Sequence, residues 1–467
     1  MKKLFTSFTI LLFSFFYFSA NAYLRLPDIF SDNMVLQQQT KISFTGFAEP
    51  GQKIKVVASW NGDTLKTTTL SNAKWTIELQ TPKASGPYEV TIIGDTTITI
   101  HNVLIGEIWL CSGQSNMEFS ADWHVNNYQE EIKNAHHPEI RFFHVQKITA
   151  PYPQQEVHGK WEVCTPETMH SFSATGYFFG RALNDQLHQP IGLIEACWSG
   201  SPVETWIPDE IFKQHESLAL SATKLKPSGG WPVRPAIAYN AMIAPLTNFV
   251  IAGTIWYQGE TNTANPSTYE EAFSNMIGSW RNHWQKDFPF YFVQIAPFTY
   301  GNNEDGALVR EAQLKTYRHV PNTGMVVVSD ITGDTNDIHP KNKQDVGKRL
   351  TGWALANTYG KTNIPFSGPI YQSIEIKGSK AVIHFDFAKD GVIKKGDQLT
   401  GFLIAGEDKQ FFPAIAQIQD STVIVYSPQV AHPASVRMGF TNAGIPNLFN
   451  KAGLPASPFR TDDWEKK

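Results

Sequence analysis

Through the first hundred positions, polarity often alternates from one residue to the next. KISFTGFA, QKIKVVASW, TLKTTTL, KWTIELQ, PYEVTIIG and TTITIHNV are short and strand-like, and the breaks between them (EPGQ, NGD, SNA, KASG, GD) are turn-forming. This spacing predicts a small all-β sandwich over residues 23–102. The rhythm changes at Val103. Uninterrupted apolar stretches (VLIGEIWLC, IGLIEAC, GTIWYQG, FPFYFVQIA, TGMVVVSD) then take turns with helical-period segments such as TGYFFGRALNDQL and STYEEAFSNMIGSWRNHW. Alternation of this kind predicts crossover units, hence an α/β domain over residues 103–360 whose parallel sheet carries helices on both faces. Strand character returns in KAVIHFDFA, LTGFLIAG and STVIVYSP, so a second β domain is expected over residues 361–467.

Composition narrows the class. A length of 467 residues suits about three domains. A hydrophobic share of 42% with 13% aromatics excludes a disordered chain. With 39 basic against 43 acidic residues and no basic block, nucleic acid is not an expected partner. Residues 1–22 combine Lys2 and Lys3, an apolar run and the small-residue pattern Ala20-Asn21-Ala22. That is the pattern of a signal peptide cleaved near Ala22, which places the mature chain in a periplasm or outside the cell. No other stretch is long enough to span a membrane. Cys111, Cys164 and Cys197 allow at most one disulfide, and no CxxC pattern marks a zinc finger.

In parallel sheets, sites form where strands end, and four strand ends here carry reactive residues. Ser115 follows the first buried strand in IWLCSGQSNMEFS, with Gly113 permitting a tight turn. Its hydroxyl needs a base and oxyanion donors to act as a nucleophile. His339, after MVVVSD in the loop SDITGDTNDIHPKNKQ, is the best placed of the 14 histidines to be that base, with Asp337 and Asp334 close by as orienting carboxylates. Gly200, in the loop after IGLIEAC that also holds Trp198 and Glu204, lets backbone approach a ligand. Gln258, Glu260 and Asn262 follow GTIWY and set amide and carboxylate groups beside Gly259, with Glu260 and Asn262 as candidate substrate contacts.

Taken together, GEIWLCSGQSNMEF, IWYQGETN and DIHPKNKQDVGKRL closely resemble the sialate O-acetylesterase family, carbohydrate esterases of the SGNH-hydrolase superfamily. LPDIFSDNMVLQQ, GFAEPGQ, SPVETWIP and AYNAMIAPL extend the resemblance over nearly the whole mature chain. It implies an SGNH-like central domain, Ser115 as nucleophile and His339 as base, with an oxyanion hole from the N–H of Ser115, Gly200 and Gln258. Two departures from the wider superfamily stand out. Gly113-Gln114 replaces the frequent Asp before the serine, and the position three before the histidine is Asn336. Asp337 is therefore the first choice for the third member, with Asp334, Glu260 or a bare Ser-His dyad as alternatives.

The implied partner is an O-acetylated sugar, with no cofactor, metal, nucleic acid or membrane. Sialate carries a carboxylate, for which Arg234 in GGWPVRP is the candidate arginine. Trp198, Trp123 and Trp206 stand on candidate loops and could stack on sugar rings. Rival readings are an acetyl esterase of plant polysaccharide such as xylan, a glycosidase using Glu260 with Asp337 or Glu204, a non-catalytic sugar-binding protein and a zinc-dependent deacetylase.

Overall fold

The computed structural model describes residues 24–301 and 304–464, so the expected leader at 1–22 lies outside the described residues. The N-terminal segment forms β1 (Val35–Gln37), β2 (Lys41–Phe47), β3 (Lys53–Ala58), β4 (Thr64–Thr68), β5 (Lys74–Gln80) and β6 (Ser85–Ile93). β2 pairs antiparallel with β5, while β4, β3 and β6 pair in antiparallel succession onto β7 (Thr97–Gly113). Alternation in β2 puts Ile42 and Phe44 inside and Lys41 outside, which is how a sheet with one wet face reads in sequence.

β7 runs 17 residues without a break. Its first part belongs to the N-terminal sheet, and Glu107–Gly113 pair in the middle of the next one. The change of rhythm at Val103 thus marks a passage from a half-exposed to a fully buried environment along one strand, and no linker separates the two regions.

The central sheet adds β8 (His137–His144), β9 (Trp161–Cys164), β10 (Ile191–Cys197), β11 (Gly253–Tyr257), β12 (Phe290–Val293) and β13 (Thr323–Val326) in the order β13-β12-β11-β7-β10-β8-β9. All neighbours are parallel except β9, which returns antiparallel to β8. Its central strands are largely apolar because each face has its own core. Ile108, Leu110, Ile194, Ala196, Trp256 and Phe292 face one core, which is continuous with that of the N-terminal region and takes Phe273, Met276 and Trp280 of helix Tyr269–Trp284. Trp109, Cys111, Leu193, Ile255 and Tyr291 face the other, closed by Phe178 of helix Ala174–Leu187 and Leu350 of helix Lys343–Trp353. The expected α/β class with β regions at both ends is what the chain adopts. All three cysteines are buried free thiols, and burial pushes Cys164 up to about 12.

The C-terminal region holds two four-stranded antiparallel sheets around Ile383, Ile404, Val423, Val436 and Met438. It docks by polar contacts onto helix Asp305–His319. Arg460 forms a paired bond to Glu311 (2.7 and 2.8 Å), Gly306 N–H donates to Asn442 Oδ1 (2.8 Å), and the buried Arg310 guanidinium reaches the carbonyls of Thr441 and Asn442. Among the described residues, no helix is long and apolar enough to cross a membrane.

Candidate active site

β7 delivers Ser115 to its carboxyl end through a turn that only glycine can make. Gly113 has φ +140°, and a Cβ there would lie 2.2 Å from the Tyr257 carbonyl oxygen. Gln114 then ties the turn to β11. Its N–H donates to Tyr257 O (3.0 Å), and its side-chain oxygen accepts from the N–H groups of Gly259 (3.2 Å) and Thr261 (3.3 Å). Ser115 is the first residue of the short helix Ser115–Glu118 and is buried.

The neighbouring Asn116 connects three strand ends. Its Nδ2 donates to Glu260 Oε1 (2.6 Å) and to Ile338 O (3.0 Å), while its Oδ1 accepts from Lys343 Nζ (2.5 Å). The bond to Ile338 joins the serine block to the histidine block, 222 positions apart. His339 follows, half-buried, its ring 5.7 Å from that of Phe119 and 6.1 Å from that of Trp123. Burial, reinforced by the Lys343 charge, holds its imidazole below the usual histidine range, with Asp337 pulling the other way. At neutral pH the ring is therefore the free base.

Lys343 is itself buried, beneath the rings of Phe119 and Tyr257 at 4.9 and 5.1 Å. Burial pushes its ammonium down to about 7 against the fields of Glu260 and Asp337. Burial likewise raises the Glu260 carboxyl, whose Oε2 has no partner. The pair straddles one carboxamide, so each charge supplies the compensation the other lost with its water.

The Gly200 loop after β10 is braced by several contacts. Trp198 N–H donates to Gly113 O (3.1 Å), and Ser199 gives both its N–H (2.6 Å) and its hydroxyl (2.8 Å) to Glu118, which Lys147 also contacts. Thr261 Oγ1 holds the Gly200 carbonyl (3.0 Å). Gly200 has φ +74°, and a Cβ there would fall 2.3 Å from the Trp231 ring. Among the described residues, the N–H groups of Ser115 and Gly200 meet no acceptor.

Several expected roles change on this geometry. Gln258 was expected as an oxyanion donor, but its amide is buried and donates to Asn262 Oδ1 (2.7 Å) and Ser201 O (3.3 Å), so it braces the loop from beneath. Asn262 is buried too, bound to Val203 N (2.9 Å) and Glu204 (2.9 Å), which makes it scaffold where substrate contact was expected. Glu260 and Glu204 are likewise committed to internal partners. Trp206 is fully buried and Trp198 packs partly against the core. Asp337 accepts the backbone N–H of His339 (2.9 Å), and Asp334 holds the N–H of Asn336 (2.9 Å). No carboxylate hydrogen-bonds the His339 imidazole among the described residues. Arg234 is exposed and has no ion pair among them. Nor is any group of three His, Cys, Asp or Glu side chains there gathered to hold a metal ion. Asn116, Glu118 and Lys343 were missed, although all three stand inside the motif strings; they are polar residues on buried faces, which periodicity alone reads as helix surface.

A parallel sheet that gathers a hydroxyl, an imidazole and unclaimed backbone donors at its strand ends is the arrangement of an ester hydrolase. Comparison with known proteins agrees. A family model described as carbohydrate esterase, sialic acid-specific acetylesterase, matches residues 105–359. Human sialate O-acetylesterase is 30% identical over 416 residues, covering 81% of this chain and 79% of that protein. The mouse protein of the same name is 30% identical over 444 residues, with 82% of each covered. The crystal structure of a carbohydrate acetylesterase from Xanthomonas citri superposes with a TM-score of 0.87 at 36% identity, over 95% of this chain and 100% of that one. The molecule is thus a carboxylic ester hydrolase of the carbohydrate esterase class. Within it, the chain belongs to the sialic acid-specific acetylesterase family.

Two substitutions test the framework. Glu118→Gln leaves Ser199 and Lys147 without their carboxylate, so kcat on 4-nitrophenyl acetate should fall roughly ten- to a hundredfold with KM little changed, as expected for a donor moved by about 1 Å; an unchanged kcat would show that Glu118 does not set the loop. Lys343→Met strands the Glu260 charge and should cost about 3 kcal/mol in urea denaturation. Adding Glu260→Gln should recover part of that loss, and an unmoved midpoint in the single variant would rule out the bridge.

Proposed function

We propose that the chain removes O-acetyl groups from sialic acid through an acyl-enzyme on Ser115, with His339 as general base. The observation that carries this reading is the Asn116–Ile338 bond, which brings the serine and histidine blocks side by side. In the first step the His339 imidazole accepts the Ser115 hydroxyl proton while the oxygen attacks the acetyl carbonyl. The developing oxyanion takes the N–H groups of Ser115 and Gly200, each worth roughly 3 kcal/mol in a preorganised site. The imidazolium then gives its proton to the departing sugar hydroxyl. In the second half, water attacks the acetyl-serine, His339 takes its proton, and acetate leaves as Ser115 recovers its hydrogen. Asp337 serves as the third member by fixing the His339 backbone and setting a negative charge near the ring.

Arg234, exposed on the loop that carries Trp231, is the residue we assign to the sialate carboxylate. The mature enzyme, cleaved near Ala22, would act in the periplasm or outside the cell. A second reading, deacetylation of another acetylated carbohydrate such as xylan, is consistent with the likeness to the Xanthomonas citri protein, which is named as a carbohydrate acetylesterase with no particular sugar.

Acetate release from O-acetylated sialic acid, acetylated xylan and acetylated mannan, with Ser115→Ala as control, separates the readings. Sialate should be preferred, and Ser115→Ala should lose at least about a thousandfold on every ester. More than about one per cent residual turnover would reject Ser115 as nucleophile. Because His339 must be unprotonated and burial holds its pKa below the ordinary histidine value of 6.5, kcat/KM should rise with pH through a midpoint below 6.5. A midpoint above that value would exclude His339 as the base in this environment.

A further inference from the structure

Of the 13 tryptophans in the chain, Trp123 and Trp231 are the two that stand exposed, at 41% and 42%. Both lie against the candidate site. Trp123 meets the His339 ring edge-on, its centroid 6.1 Å away, and packs at 5.2 Å on Phe119. Trp231 covers Gly200 so closely that no side chain could occupy that position. An exposed indole costs solvation free energy that burial would recover, and here both such surfaces flank one cluster of reactive groups.

Resting on the esterase reading above, we infer that Trp123 and Trp231 form two separate platforms for sugar rings, and that the substrate extends at least one ring beyond the acetylated one. The stereochemistry of acyl transfer assigns a ring to each. The tetrahedral carbon carries the methyl group, Ser115 oxygen, the oxyanion and the sugar oxygen. The oxyanion points to Gly200, whereas the sugar oxygen must meet the imidazolium that protonates it. The acetylated ring therefore lies on the His339 side, over Trp123. Trp231, behind the oxyanion loop, is out of that ring's way and is placed for a neighbouring one. The apolar C–H face of a pyranose matches an indole in shape and polarity. Because Trp231 touches the backbone that positions Gly200, its occupation also bears on the oxyanion donor, so part of a distant ring's binding energy can appear in kcat.

The test compares wild type, Trp123→Ala, Trp231→Ala and the corresponding Phe variants on 4-nitrophenyl acetate, an acetylated monosaccharide and an acetylated trisaccharide. The readout is kcat/KM on each sugar relative to that on 4-nitrophenyl acetate. Trp123→Ala should lower this ratio about fivefold or more for both sugars, and Trp231→Ala about fivefold or more for the trisaccharide alone. Phe at either position should restore most of the loss, since a flat ring remains. Equal losses on both sugars for Trp231→Ala, or a trisaccharide ratio within about twofold of wild type, would overturn the two-platform assignment. Wild type that cleaves 4-nitrophenyl acetate but no acetylated sugar would overturn the functional reading itself, and the platforms with it.

Discussion

One carboxamide holds the site together. Asn116 accepts from a buried ammonium, donates to a buried carboxylate and donates again to the backbone beside the histidine, so three strand ends converge on a single side chain. The direction of each bond is fixed by chemistry. An amide oxygen can only accept and an amide nitrogen only donate, so Lys343 and Glu260 cannot exchange places. A leucine of similar size would fill the space yet leave two charges without partners, at a cost exceeding what its own burial returns. The pairing therefore fixes the separation of the serine and histidine loops far more narrowly than apolar packing around them would.

A second set of polar contacts does for the Gly200 loop what Asn116 does for the histidine block. Glu118 lies one helical turn after Ser115 and grips Ser199 through both backbone and hydroxyl, so the serine and the Gly200 amide are positioned by the same short helix. Gln258 and Asn262 complete the support from β11. A backbone donor stabilises charge only if it is already aimed when the charge appears. Contacts from Glu118, Thr261, Gln258 and Asn262 to this loop keep the Gly200 N–H from collapsing onto a protein acceptor.

The sheet was legible because its physics is local. β10 and β11 are buried on both faces, and that condition writes itself as an unbroken apolar run. The same logic hid the passage through β7, since a strand that moves from one sheet to another changes polarity without any turn to announce it. At the site, the placing of Ser115, His339 and Gly200 after strand ends could be read from the sequence. Gln258 and Asn262 could not be assigned correctly, because a polar residue facing substrate and one bracing a loop from beneath look alike until the partner is known. The network that distinguishes them joins residues more than fifty positions apart, beyond the reach of periodicity.

The imidazole poses the remaining question of how the proposed base would work without a carboxylate bonded to its ring. In a serine triad the acid fixes the tautomer and favours the imidazolium. Here those tasks are divided. Phe119 and Trp123 confine the ring by contact, and Asp337 fixes the backbone that carries it. The electrostatics then set opposing influences on one group: burial and Lys343 favour the free base, the form in which the proposed mechanism has it take the serine proton, while Asp337 favours the cation. A direct ion pair would tilt this balance toward the cation before substrate arrives. With no acid bonded to the ring the resting histidine stays neutral, and in the proposed mechanism a bound acetylated sugar would exclude the water that otherwise weakens a nearby, unbonded carboxylate.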